Sequence, residues 1–246
     1  MGRWSRLVAA EFLDWLEVPA GRRWLDVGCG TGALTASILD RCSPSQVVAV
    51  DRAEAYAEWA ALHVDDPRAR FAVAEATHLP AGGADVVVSG LVLNFLPDPV
   101  DALRAMRRAA PGGVVAAYVW DYAGKMELLR TFWDAAVELD PAARELDEGR
   151  RFSLCHPDTL RSTWDAAAMG DVAVRAIDVP TLFSDFDDYW SPFLGGDGPA
   201  PGYVASLDED ARRRLQDGLR ARLPVAGEGS IGLVARAWAA RGRVEG

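Results

Sequence analysis

The sequence predicts a doubly wound α/β fold, a mostly parallel sheet with helices on both faces, and three observations carry the prediction. Short runs of nearly continuous Val and Ala recur along the first half of the chain, amphipathic segments separate them, and the first run ends in a bend of closely spaced glycines. A strand covered on both faces has no solvent side to keep polar, so unbroken apolar runs between helices mean a parallel sheet between two helical layers.

The elements follow in order. WSRLVAAEFLDWLE, residues 4–17, sets Trp4, Leu7, Val8, Phe12, Trp15 and Leu16 at helical spacing, so one apolar stripe can lie on a larger body. Pro19 and Gly21 punctuate the chain, and RRWLDV then predicts the first strand. The glycine bend leads into the helical TGALTASILD; QVVAVD is a second strand and AEAYAEWAALHV a second helix. FAVAEA, ADVVVSG and GGVVAAYVW extend the sheet, with DPVDALRAMRRAA as a helix before the last of them.

After Trp120 the alternation loosens. Residues 124–169 read as two helical pieces, VAVRAIDV at 172–179 as a sixth strand, and SIGLVARAWAARG from 230 as a seventh. Between those two strands lies DFDDYWSPFLGGDGPAPGY, rich in Pro, Gly and aromatics, followed by the amphipathic DEDARRRLQDGLRARL. A connection of that length is commonly a lid or binding loop, and its aromatics predict an ordered one over about 180–226.

Composition narrows the functions. A chain of 246 residues, half of them apolar, can bury one substantial core. The formal charge of −10 argues against general nucleic-acid binding, which needs a basic face. Cys29, Cys42 and Cys155 lack the paired spacing of a zinc or redox motif, and the acids of DFDD at 185–188 lack that of a calcium loop, so no metal is expected. No apolar run reaches the roughly 18 residues of a membrane span, and the N-terminus has no apolar secretion core. Reduced thiols in a soluble, cytoplasmic protein are the expectation.

The stretch LDVGCGTGAL, residues 25–34, holds the chemistry. GCGTGA fits the loose G-x-G-x-x-G/A template of dinucleotide sites, so NAD must be considered. Asp26 bears on the choice of ligand, since a carboxylate ahead of the bend repels a pyrophosphate and attracts an ammonium group. S-adenosylmethionine carries an ammonium and a sulfonium and no phosphate. Asp51 ends the second strand 19 positions after Gly32, where its carboxylate can accept from both ribose hydroxyls. Taken alone, that feature suits NAD and S-adenosylmethionine equally.

LDVGCGTGAL, VVAVDRA, FAVAEATHLP and ADVVVSGLVLNFLPDP, in that order within residues 23–120, together resemble the successive motifs of class I S-adenosylmethionine-dependent methyltransferases. The nearer likeness is to the small-molecule branch containing the ubiquinone and menaquinone biosynthesis C-methyltransferases. The resemblance implies the Rossmann-like fold of that family, with seven strands, as one domain over 1–246: a helical cap at 1–20, a cofactor-binding half at 21–121, and an acceptor-binding half at 122–246 carrying the lid.

By position, the resemblance implies that the backbone of Gly28, Cys29 and Gly30 borders the methionine part, with Asp26 near its amino group directly or through water. It implies that Asp51 holds the ribose, Arg52 flanks the adenine, Glu75 and Ala76 meet the adenine edge, and Ser89 with Gly90 line the methyl-donor end. The third-strand acid is more often Asp in this family, and here it is Glu75. The family's N-terminal helix closes over the cofactor, which makes Trp4 and Arg6 candidates, with plain helix packing as the alternative.

Methyl transfer from a sulfonium is an in-line displacement, so holding the reacting atoms in line and excluding water outweighs any single base. Positioning contributes about 7–11 kcal/mol, against a factor of about 10²–10⁴ for a general base. Of the three histidines, His63 closes a surface-like helix and His78 sits in the loop after the third strand; His156, ahead of Pro157 at a helix start, is the candidate base. Tyr118, Trp120 and Tyr122 alternate and so point one way at the end of the fifth strand, where Trp120 and Tyr122 are candidate acceptor contacts. Asn94 is a candidate for orienting a polar acceptor atom. Phe183, Phe186, Tyr189, Trp190 and Phe193 either form a satellite core or line the cleft; Tyr189 and Trp190 are the candidates for contact.

The pattern predicts methyl transfer from S-adenosylmethionine to a small hydrophobic or aromatic acceptor at carbon, oxygen or nitrogen, as in secondary metabolism. A protein that binds the cofactor without transferring methyl, regulatory or a cyclase, is the second reading, and an NAD-dependent oxidoreductase the third. No pattern in the chain speaks to oligomeric state.

Overall fold

The computed structural model describes residues 2–195 and 198–245, so Gly196 and Asp197 of the expected insertion lie outside the described residues. In order, the regular elements are α1 (Gly2–Leu16), β1 (Arg23–Val27), α2 (Ala33–Arg41), β2 (Gln46–Asp51), α3 (Glu54–His63), β3 (Ala69–Val73), β4 (Val86–Gly90), α4 (Pro99–Ala109) and β5 (Val114–Trp120). They continue with α5 (Glu127–Leu139), α6 (Glu148–Arg151), α7 (Pro157–Ala166), β6 (Gly170–Phe183), α8 (Phe186–Trp190), α9 (Pro199–Ser206), α10 (Glu209–Arg222) and β7 (Ile231–Arg243).

One seven-stranded sheet runs in the order β3-β2-β1-β4-β5-β7-β6, and the pairs β1–β2, β1–β4, β2–β3 and β4–β5 are parallel. The strand order reverses between β1 and β4, where doubly wound sheets open a crevice for ligands beyond the strand ends. β4 and β5 are almost wholly buried, as their unbroken apolar runs require.

Local sequence accounts for the helices. At α4, Asp98 caps by accepting from the Asp101 N–H, Pro99 starts the helix, and Ala102, Leu103, Met106 and Ala109 are buried on one face. In α1 the buried stripe is Trp4, Val8, Phe12 and Leu16 with Ala9 and Leu13, whereas Leu7 is exposed. Trp15 is half-buried beneath the Arg241 guanidinium, which sits 4.7 Å from its ring centre.

The contacts divide the chain into two compact units. The first comprises Gly2–Val119, His156–Ile177 and the residues from Ala237 onward; the second comprises Trp120–Cys155 and Asp178–Arg236. The stretch expected as a single acceptor half, 122–246, is therefore shared between both units.

Several element boundaries differ from the expectation. The third strand, expected as FAVAEA at 71–76, is β3 at Ala69–Val73, which leaves Glu75 and Ala76 beyond its end. The sixth strand was expected to stop at 179 ahead of Pro180, yet β6 continues to Phe183, with Ile177, Val179, Thr181 and Phe183 buried and the residues between them exposed. β6 is an edge strand, where a proline forfeits no ladder hydrogen bond. Residues 124–169 hold five short helical segments rather than two, because Asp140 with Pro141, Asp147, and His156 with Pro157 each begin a new one.

Within the second unit the insertion is helical and densely aromatic. Phe132 stacks on Phe193 at 4.4 Å, Phe183 meets Tyr189 edge-on at 5.4 Å, and the Arg220 guanidinium lies 3.6 Å over Phe186.

Candidate functional site

The site grows from the end of β1. There the Gly28 and Cys29 N–H groups both donate to the Val50 carbonyl, at 2.8 and 3.0 Å, which folds the chain back over β2. Gly28 has φ +75°, and a β-carbon there would lie 2.4 Å from a Val92 methyl, so any side chain is excluded on both counts. α2 begins after Gly32, an N-cap residue with no side chain to cap the helix.

Asp51 pins the loop. Its carboxylate accepts from the Gly30 N–H at 2.9 Å through one oxygen and from the Ala53 N–H at 2.9 Å through the other. An ionised carboxylate offers about four acceptor positions, so the same group retains capacity for two hydroxyls of a ligand.

Asp26 lies deeper and is fully buried, with one carboxylate oxygen accepting from the Thr35 hydroxyl at 2.6 Å. Its other oxygen, Oδ1, is buried with no hydrogen-bond partner among the described residues. Burial pushes the carboxyl up to about 7, against the weaker pull of the Thr35 hydrogen bond. An orphaned acceptor of this kind is costly unless a ligand or a bridging water supplies a donor, and an ammonium group meets that need.

A cavity of about 190 Å³ opens beside the loop, lined by Gly28, Asp51, Arg52, Tyr56, Ala74, Glu75, Ala76, Val92, Phe95 and Leu96. It thus brings together Gly28, Asp51, Arg52, Glu75 and Ala76 of the expected residues. The sequence reading missed Tyr56, Ala74, Val92, Phe95 and Leu96. The short helical turn at Leu93–Phe95 buries Leu93 and leaves Val92, Phe95 and Leu96 on the cavity, while Asn94, selected for its polarity, is half-buried and outside this lining. Tyr56 and Phe95 are 51% and 59% exposed, apolar surface that a flat ligand would cover.

The other candidates lie outside this lining. The Ser89 hydroxyl is buried and donates to the Val27 carbonyl at 2.8 Å, tying β4 to β1. Gly90 leaves room for the Tyr118 hydroxyl, which would lie 2.7 Å from a β-carbon placed there. Tyr118 is fully buried near Asp26, and burial pushes its phenol well up. The Cys29 thiol is pushed up to about 12, first by burial and then by the Asp26 and Asp51 carboxylates, so it stays protonated and is no nucleophile. Trp4 is packed in the core and Arg6 is exposed, and neither lines the cavity.

His156 is exposed at the start of α7 and its side chain makes no capping hydrogen bond. His63 stacks on Trp59 at 3.8 Å, and His78 lies 3.0 Å from the Thr77 hydroxyl. The expected acceptor contacts Trp120, Tyr122, Tyr189 and Trp190 belong to the second unit and are all buried, at 2%, 7%, 0% and 5% exposure. Tyr189 donates its hydroxyl to the Leu128 carbonyl at 3.1 Å, so the structure places it and Trp190 in an aromatic core, the packing alternative, rather than on an open wall. Among the described residues no group of His, Cys, Asp and Glu is arranged to hold a metal, and no helix is long and apolar enough to cross a membrane.

Comparison with known proteins agrees with this geometry. The family described as "Methyltransferase domain" matches residues 25–117. A trans-aconitate 2-methyltransferase from Methylobacterium radiotolerans is 37% identical over 115 residues, covering 46% of this chain and 44% of the relative. The chain thus spans less than half the length of the curated relatives it matches. Among solved structures, the fold is similar to a phosphoethanolamine N-methyltransferase from Haemonchus contortus bound to S-adenosylhomocysteine, with TM-score 0.60, 16% identity, and 97% of this chain and 53% of that chain covered. It is also similar to the [4+2]-cyclase SpnF, with TM-score 0.54, 16% identity, and 100% and 82% covered. The glycine loop and the acids Asp26 and Asp51 lie within residues 25–117, the stretch that matches a methyltransferase domain.

Proposed function

We propose that the chain transfers the methyl group of S-adenosylmethionine to a small acceptor with a hydrophobic or aromatic body. The observation that carries the proposal is the buried Oδ1 of Asp26, without a hydrogen-bond partner among the described residues, behind a loop whose Gly28 leaves no room for a side chain. A phosphorylated dinucleotide gains nothing from a carboxylate there, whereas an ammonium-bearing nucleoside fills an unmet need.

Bound at this loop, the cofactor supplies a methyl group made electrophilic by a sulfonium. The residues hold and orient it. Asp26 takes the ammonium, directly or through water; Asp51, fixed by the Gly30 and Ala53 N–H groups, takes the ribose hydroxyls; Arg52, Glu75, Ala76 and Tyr56 border the base. Such positioning accounts for most of the catalysis that a displacement needs. The relatives named as ubiquinone biosynthesis and malonyl-[acyl-carrier protein] O-methyltransferases favour an oxygen of the acceptor as the atom that receives the methyl.

A second reading, cofactor binding without methyl transfer, is favoured by two observations: no histidine lines the cavity, and the fold is similar to that of a cyclase. Calorimetric titration with S-adenosylmethionine, S-adenosylhomocysteine and NAD tests cofactor choice, and a 14-dalton mass gain in an acceptor screen separates transfer from binding alone. Asp51→Ala weakens cofactor binding by about tenfold or more, since hydrogen bonds to a charged group are worth about 1.5–3 kcal/mol. NAD uptake with indifference to S-adenosylmethionine overturns the proposal.

A further inference from the structure

The second unit contains a hollow that the cofactor reading does not use. It encloses about 400 Å³ and is lined by Ala123, Arg130, Trp133, Asp134, Val137, Arg144, Asp147, Gly149 and Arg150. Three arginines around one hollow are notable in a chain whose 36 acids outnumber its 26 bases.

The charges are not balanced locally. Arg130 is ion-paired with Asp147, and the same oxygen accepts from the Gly149 N–H at 2.8 Å, so one charge of each sign on the lining is matched. The guanidinium groups of Arg144 and Arg150 have no ion-pair or hydrogen-bond partner among the described residues, although those of Arg23, Arg41, Arg68, Arg213, Arg222 and Arg236 each pair with an acid. The Nε–H of Arg130 is buried and also lacks an acceptor among the described residues. Asp134 is the one remaining acid on the lining, and it opposes two unpaired guanidinium groups.

The walls are closely packed. Gly149 packs so closely that a β-carbon there would lie 2.6 Å from the Tyr122 carbonyl oxygen and 2.8 Å from Ala123 Cα. Trp133 is buried and donates from its indole to Glu148, which is itself buried. α5 carries Arg130, Trp133 and Asp134, while the segment from Pro141 to Arg151 carries Arg144, Asp147 and Arg150.

We propose that this hollow is a binding site for a small oxyanion, a carboxylate or phosphate group, held by Arg144 and Arg150 with Arg130 behind them. Guanidinium forks match both groups bidentately, and the weak hydration of arginine lowers the cost of pairing in a half-enclosed space. The inference does not depend on methyl transfer, because cofactor binding is measured separately.

The full chain is titrated calorimetrically at low salt with succinate and with inorganic phosphate, with glycerol as the neutral control. Heat with succinate alone identifies a carboxylate site, and heat with phosphate alone a phosphate site. The exposed pair Arg144→Ala with Arg150→Ala weakens binding of the anion by at least about tenfold, the weight of one charge-assisted hydrogen bond, and leaves S-adenosylmethionine affinity unchanged. Asp134→Asn strengthens anion binding about twofold to fivefold by removing a like charge, a gain that misfolding does not mimic. The proposal is overturned if neither anion gives heat at millimolar concentration, if glycerol binds as well, or if the double variant binds the anion like the parent.

Discussion

Replacing Asp26 by Asn separates the cofactor's need for a carboxylate from the stability of the fold. Asp26 is fully buried, and its carboxyl is raised from the ordinary 3.8 to about 7 because burial penalises the charged form. In the unfolded chain the group ionises near its ordinary value. Below that value both states are protonated and pH has no leverage through this residue. From there up to about 7 the unfolded chain gives up the proton while the folded chain keeps it, so the parent loses about 1.4 kcal/mol per pH unit. Above about 7 both are ionised and the loss levels off. The shift of roughly three units amounts to about 4 kcal/mol, or about 10 °C in Tm for a chain of this size.

Asparagine keeps an oxygen for the Thr35 hydroxyl and never ionises, so it escapes that penalty. Its unsatisfied N–H groups impose a constant cost of about 1–3 kcal/mol that does not vary with pH. Thermal melts of both proteins from pH 4 to pH 8 therefore show the Tm difference moving in favour of Asp26→Asn as pH rises and flattening above 7. Cofactor binding runs the other way. An ammonium needs the ionised carboxylate, so parent affinity for S-adenosylmethionine falls about tenfold per unit below pH 7, while the variant binds weakly and without that dependence. A Tm difference constant with pH, or equal cofactor affinity for both proteins at pH 8, refutes the reasoning.

Two further predictions follow from the geometry. Gly28→Ala forces a left-handed backbone on an L-residue and drives a methyl to 2.4 Å from the stiff Val92 side chain, a combined cost of about 2–5 kcal/mol read by urea unfolding, with loss of cofactor binding as the cavity narrows. Tyr189→Phe removes the hydroxyl bound to the Leu128 carbonyl and lowers stability by about 1 kcal/mol while leaving cofactor affinity and turnover intact; turnover that falls more than stability explains would put Tyr189 against the acceptor.

What the sequence determined by itself is whatever depends on neighbours a few positions apart. Unbroken apolar runs declared β2, β4 and β5 and a parallel sheet, and closely spaced glycines declared the bend with Asp26 before it and Asp51 at the next strand end. Tertiary structure decided what depends on residues meeting from afar. The expected sixth strand ran over 172–179, but an edge position lets β6 pass through Pro180 and continue to Phe183. The insertion's aromatics were compatible with a cleft or a core until the Tyr189 hydroxyl found the Leu128 carbonyl 61 residues away. The partnerless oxygen of Asp26 is visible only once every neighbour has been placed, since an unmet hydrogen bond is a property of the whole surroundings and of no local pattern. The same holds for Arg144 and Arg150, ordinary in the sequence and distinctive only because the fold sets them around one hollow with Arg130, where arginines outnumber acids.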